Sequence, residues 1–160
     1  MKLASALFLT LLSSGACAAD IASCSNPSGK GYYPEKGIIS AQDSGWEDER
    51  ITNGITKLVR QADGGYDVLF VDVRNEIVSA LQDGALVVPL NRGEDVFSVL
   101  VVYPGKTAEV YTFLRTTSGK LEYIHTLSRA GDSVFISKAS VMRGDCAYIN
   151  FGALPAEAGQ

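Results

Sequence analysis

From residue 55 to residue 142 the chain alternates between short apolar runs and turn residues at nearly regular intervals. Runs rich in Val, Leu, Ile, Tyr, Phe and Thr are separated by Asp63-Gly64-Gly65, Arg74-Asn75-Glu76, Asp83-Gly84, Asn91-Arg92-Gly93, Pro104-Gly105, Ser118-Gly119 and Gly131-Asp132. Such punctuation predicts strands joined by hairpins, here over 55–61, 66–73, 76–82, 85–91, 95–103, 107–116, 119–127 and 133–142. The last run also fits a short helix capped by Asp132. No other stretch sustains a helical period. The expected fold class is all-β: an antiparallel meander of about eight strands, closed or nearly closed into a barrel. Closure is preferred because it removes edge strands; a two-sheet sandwich is the alternative.

Two runs, "YDVLFVDV" and "VFSVLVVY", are apolar on both faces. A sheet with one wet face does not need that, so something is expected to cover their second side. The hairpin "EVYTFLRTTSGKLEYIH" alternates more clearly. Glu109, Tyr111, Phe113 and Arg115 share one face, with Val110, Thr112 and Leu114 on the other. Tyr123 and His125 likewise share a face opposite Glu122 and Ile124. A ligand-facing wall of Tyr111, Phe113, Arg115, Tyr123 and His125 follows only if the register brings the two strands' faces together.

The ends change the picture. MKLASALFLTLLSSGACAAD has a positive Lys2, an apolar run from Leu3 to Leu12 and a small-x-small Ala16-Cys17-Ala18. That is the layout of a secretory signal over residues 1–18, and its apolar run is short of the roughly 20 residues of a membrane span. Removal leaves 13 basic against 18 acidic residues, the 14 basic less Lys2, so the formal charge moves from −4 to −5. An acidic chain without a basic run is not expected to bind nucleic acid.

Cleavage also removes Cys17 and leaves Cys24 and Cys146, an even pair that suits an oxidising compartment. A disulfide between them is expected, and a periplasmic or secreted location with it. The minor alternative makes Cys17 the lipid-bearing residue of a lipoprotein. Residues 19–54 then read as an extended N-terminal segment held by this disulfide, with one short strand near 37–41. Residues 55–152 form the core, and 153–160 a fraying tail.

The stretch "CSNPSGKGYYPEKG" invites three readings. A phosphate loop fails, because Cys24 stands where GxxxxGK needs its first glycine and Gly31 follows Lys30 where Ser or Thr is required. An aromatic platform of Tyr32, Tyr33 and Trp46 would suit a sugar, a peptide or a partner surface. The reading preferred here is a disulfide-stapled cover over the sheet.

Catalytic ingredients are sparse. His125 is the only histidine, which excludes multi-histidine zinc patterns. No GxSxG elbow is present, and "DSGWEDER" lacks the ligand order of a calcium loop and reads as a solvated acidic turn. Glu109 and Glu122 are the candidates for a carboxylate pair. No catalytic residue, metal or cofactor is assigned. The expected function is a non-catalytic binding or protein-interaction module of the bacterial envelope, monomeric, with an unknown protein or small ligand as partner. The alternatives are a hydrolase using His125 or a carboxylate pair, and a small-ligand carrier with its site in the barrel lumen.

Overall fold

The computed structural model describes residues 19–71 and 75–155. The signal-like segment, residues 72–74 and most of the expected tail lie outside the described residues. In chain order the strands are β1 (Ala19–Tyr33), β2 (Gly45–Arg50), β3 (Ile55–Arg60), β4 (Tyr66–Val71) and β5 (Ile77–Ser79). They are followed by β6 (Leu86–Arg92), β7 (Val96–Tyr103), β8 (Thr107–Arg115), β9 (Leu121–Arg129) and β10 (Lys138–Ile149). A 3-10 turn, Phe151–Ala153, closes the described chain.

All pairings are antiparallel and belong to one sheet, in the order β5-β4-β3-β1-β10-β9-β8-β7-β6, with β2 paired to β1 outside that path. The sheet curls into a half-barrel of nine strands, so the sandwich alternative does not apply. Contacts across the inside hold the curl. The Tyr66 and Phe97 rings lie 5.0 Å apart, and the hydroxyls of Thr56 and Tyr123 are 3.3 Å apart. The rings of Phe113 and Tyr123, with Ile21, Leu58, Val68, Val99 and Val101, fill the interior.

The N-terminal segment is extended and stapled by the Cys24–Cys146 disulfide. It is not a cover, however: β1 is an interior strand of the sheet, between β3 and β10. Its first half pairs with β3 on one side and β10 on the other. At Asn26-Pro27 the strand bulges. Asn26 adopts a positive φ of 51°, and its Oδ1 accepts the Asn53 backbone N–H at 3.0 Å. Beyond the bulge β1 exchanges β3 for β2, since Ile51 now donates to the Pro27 carbonyl. Asn tolerates the left-handed region and proline needs no ladder donor, so this dipeptide suits a partner switch.

Four further expectations are corrected. Residues 37–41 form turns, with Gly37 at φ 65°, and not a strand. Residues 133–137 are neither strand nor helix. Ala130 donates to Lys106 O, and a Cβ on Gly131 would overlap Gly105 O, so this loop is pinned to the β7–β8 turn and the strand begins only at Lys138. The acidic "turn" is strand β2, and its Glu49 points inward. Leu154, at the start of the expected tail, is buried. Among the described residues no helix is long and apolar enough to cross a membrane.

Candidate functional site at the mouth of the half-barrel

Strands β8 and β9 pair Tyr111 with His125 and Phe113 with Tyr123. That register puts the inward faces of both strands together, which alternation alone left open. Phe113 and Tyr123 are fully buried and stack at 6.1 Å, so they serve the core and face no partner. Arg115 lies apart from His125, at the far end of β8, beside Asp95 at 3.4 Å and over the Phe151 ring.

One turn of pairing toward the mouth, the interior becomes polar. Glu109 Oε2 accepts the Tyr111 hydroxyl at 2.6 Å and faces His125 Nε2 at 3.0 Å. The Tyr111 and His125 rings stack at 4.3 Å and 11°. A carboxylate oxygen is acceptor only, so His125 carries its proton on Nε2 and leaves Nδ1 as the free ring nitrogen. Burial disfavours the charge on Glu109. Hydrogen bonds from His125 and Tyr111 and the charge of Arg129 outweigh it, holding the carboxyl below its ordinary value. Burial and the adjacent carboxylate push the Tyr111 hydroxyl well above 10, and the same two influences take Tyr103 to about 12.

These groups floor an open cavity of about 560 Å³. Phe70, Tyr103, Leu127 and the loop segment Val134-Phe135-Ile136 supply apolar walls, while Asp83, Lys106 and Arg129 stand at its rim. The size lies in the range of small-molecule sites, about 300 to 1,000 Å³.

A second polar cluster adjoins it on the same face. Glu49 Oε1 accepts from the Tyr33 hydroxyl and from Lys138 Nζ, the latter at 2.7 Å. Burial opposes ionisation of Glu49, but these two bonds and the nearby cations lower its pKa. The hydrogen bond to Glu49, with burial, raises Tyr33 to about 12. Tyr33 is therefore tied inward, whereas Tyr32 and Trp46 are cross-strand neighbours on the outer face with rings 5.4 Å apart. Tyr32 and Trp46 are exposed. The expected trio is split across the sheet.

The carboxylate-pair expectation fails on geometry. Glu109 faces inward, and Glu122 faces outward in an exposed network with Arg143, Lys120 and Asp145. Among the described residues no hydroxyl or thiol hydrogen-bonds His125, and no group of three His, Cys, Asp or Glu side chains is placed to hold a metal.

The lowered Glu109 and Glu49 carboxyls predict a pH dependence. Each adds stability that is present above the ordinary value of 4.5 and lost as pH falls through its lower folded value. Urea unfolding at a series of pH values is expected to show a steep acid limb below 4.5, flattened in Glu109→Gln. Equal acid limbs in both proteins would contradict this account of the cluster.

No family model, curated protein or solved structure matches this chain.

Proposed function

We propose that the chain is a small exported, non-catalytic binding module of the bacterial envelope, and that its site is the cavity at the mouth of the half-barrel. The observation that carries the reading is the Glu109–His125–Tyr111 constellation at the floor of an apolar-walled cavity. Buried polar groups converging in a concave apolar site orient a ligand. Rings fill the interior beneath it, so a carrier's ligand would occupy the mouth and not a deep lumen. Export is supported by the signal-like N-terminus and by a disulfide that needs an oxidising compartment.

A hydrolase is the second reading. It is favoured by one observation, a carboxylate that orients the only histidine as general bases are oriented. With no protein nucleophile on that histidine among the described residues, such an enzyme would have to activate water.

A mixed-charge set of small fragments, screened by ligand-observed NMR, tests the proposal. Fragments are expected to bind the mature chain. Binding should weaken in His125→Phe, which keeps a ring against Tyr111, and persist in a Tyr32→Ser/Trp46→Ser double variant. Loss in the double variant alone would move the site to the outer face. Turnover of a p-nitrophenyl acylate that vanishes in His125→Phe would replace the binding module with the hydrolase.

A further inference from the structure

The chemistry of the cavity narrows its ligand, an inference that rests on the binding reading above. The cavity joins the polar Glu109–His125–Tyr111 group to an apolar wall of Phe70, Tyr103, Leu127 and residues 134–136, so it suits a ligand with a polar head and an apolar tail. Val134 and Ile136 line the opening, and Phe135 between them is 87% exposed. Ile38, 69% exposed, sits on the neighbouring loop, where Gly37 abuts the Phe135 carbonyl. Adjoining exposed apolar side chains at the lip of a cavity mark a surface that a ligand or partner covers.

The charges give the sign. Lys106 and Arg129 stand at the rim, and among the described residues neither has a carboxylate within ion-pair distance. Of the two acids facing the cavity, Glu109 keeps its negative charge, turned toward the donors of His125 and Tyr111 and offset in part by Arg129. Asp83 stands at the rim, near enough to Tyr103 for its charge to be felt there. An anionic group is therefore accommodated between Arg129, Lys106 and His125, and repelled on the Tyr103 side.

We infer that the cavity takes an amphipathic anion, a carboxylate or phosphate monoester, with its head between Arg129, Lys106 and His125 and its chain leaving over Phe135. The free Nδ1 of His125 is available to the head, as an acceptor when neutral and as a donor when protonated. The exposed Phe135 ring gains a partner only when the tail lies across it.

Four amphiphiles of one chain length separate the possibilities: dodecanoate, dodecyl phosphate, dodecanol and dodecyltrimethylammonium, the ionic ones below their micelle concentrations and dodecanol below its solubility limit, with affinity read by calorimetry. Dodecanoate, dodecyl phosphate or both are expected to bind at least about tenfold tighter than dodecanol, and the cation not at all. The two anions report which head is preferred. Arg129→Gln with Lys106→Gln should remove that anionic preference and leave dodecanol unchanged. In Phe135→Ser, affinity should lose its dependence on tail length, tested with hexanoate against dodecanoate.

Dodecanol binding as tightly as the anions, or preference for the cation, would overturn the inference while leaving the site intact. So would failure of all four probes where fragments still bind in a manner sensitive to His125→Phe. Failure of both probes and fragments would overturn the binding reading itself.

Discussion

Reduction of the Cys24–Cys146 bond, or its replacement by two serines, is expected to cost about 5 kcal/mol of stability. The two cysteines are 122 residues apart. Chain-entropy treatment of a loop that long assigns the cross-link roughly that amount. The bond also joins two interior strands, β1 and β10, at directly opposed positions, with Cys24 buried. A loss of this size equals the lower end of whole-domain stability, about 5 to 15 kcal/mol. Urea unfolding with and without reductant measures it. The midpoint should fall by about 2 M or more, given slopes of roughly 1–3 kcal/mol/M for small proteins. An unchanged midpoint would show that β1 is held by its ladders alone.

The second large effect separates rings that the sequence makes look alike. Tyr123→Ala is expected to cost about 3 to 5 kcal/mol, the usual range for deleting a large buried ring. Tyr123 stacks on Phe113, and its hydroxyl meets Thr56 across the half-barrel. Gly144 opposes it on β10, where a Cβ would run into the Tyr123 ring and the Ser25 carbonyl. Neighbours fitted this closely collapse poorly into a void. Tyr32→Ala, on the outer face against Trp46, should cost no more than about 1 kcal/mol. Comparable losses at the two positions would mean that the inside and outside of the sheet have been assigned wrongly.

That contrast shows what a linear reading can reach. Strands β3 to β9 were legible because each apolar run ends in a turn residue with its own conformational reason, as at Asp63-Gly64-Gly65 or Ser118-Gly119. The expected boundaries of β7, β8 and β9 lie within two residues of those observed. The disulfide followed from the pair, Cys24 and Cys146, that remains when Cys17 is assigned to the signal-like segment. β1 and β2 were not legible as strands, because their residues violate strand propensity for tertiary reasons. Gly29 sits where a Cβ would overlap the Val141 carbonyl, and Gly31 where it would strike Glu49. A strand packed this closely on both edges requires glycine, and glycine carries no alternation to read.

The site was half legible. Alternation placed Glu109 and Tyr111 on one face of β8, and His125 with Tyr123 on one face of β9. Only the register, Tyr111 opposite His125, turned two faces into one cluster. Lys106, Arg129 and the 134–136 loop belong to no motif and gave no signal beyond their charge and apolarity. They acquire meaning because Ala130 bonds Lys106 and brings both loops to the same rim.

His125 supplies the most direct test, since it is the only histidine in the chain and its imidazole resonances belong to one place. Titration of isotope-labelled protein spanning residues 19–160 with its tightest-binding fragment is predicted to shift the His125 imidazole first, together with amides of residues 103–109 and 134–136. The Trp46 indole should stay still. Large movement of the Trp46 indole and Tyr32 amide, with the imidazole unmoved, would contradict the placement of the binding site inside the mouth.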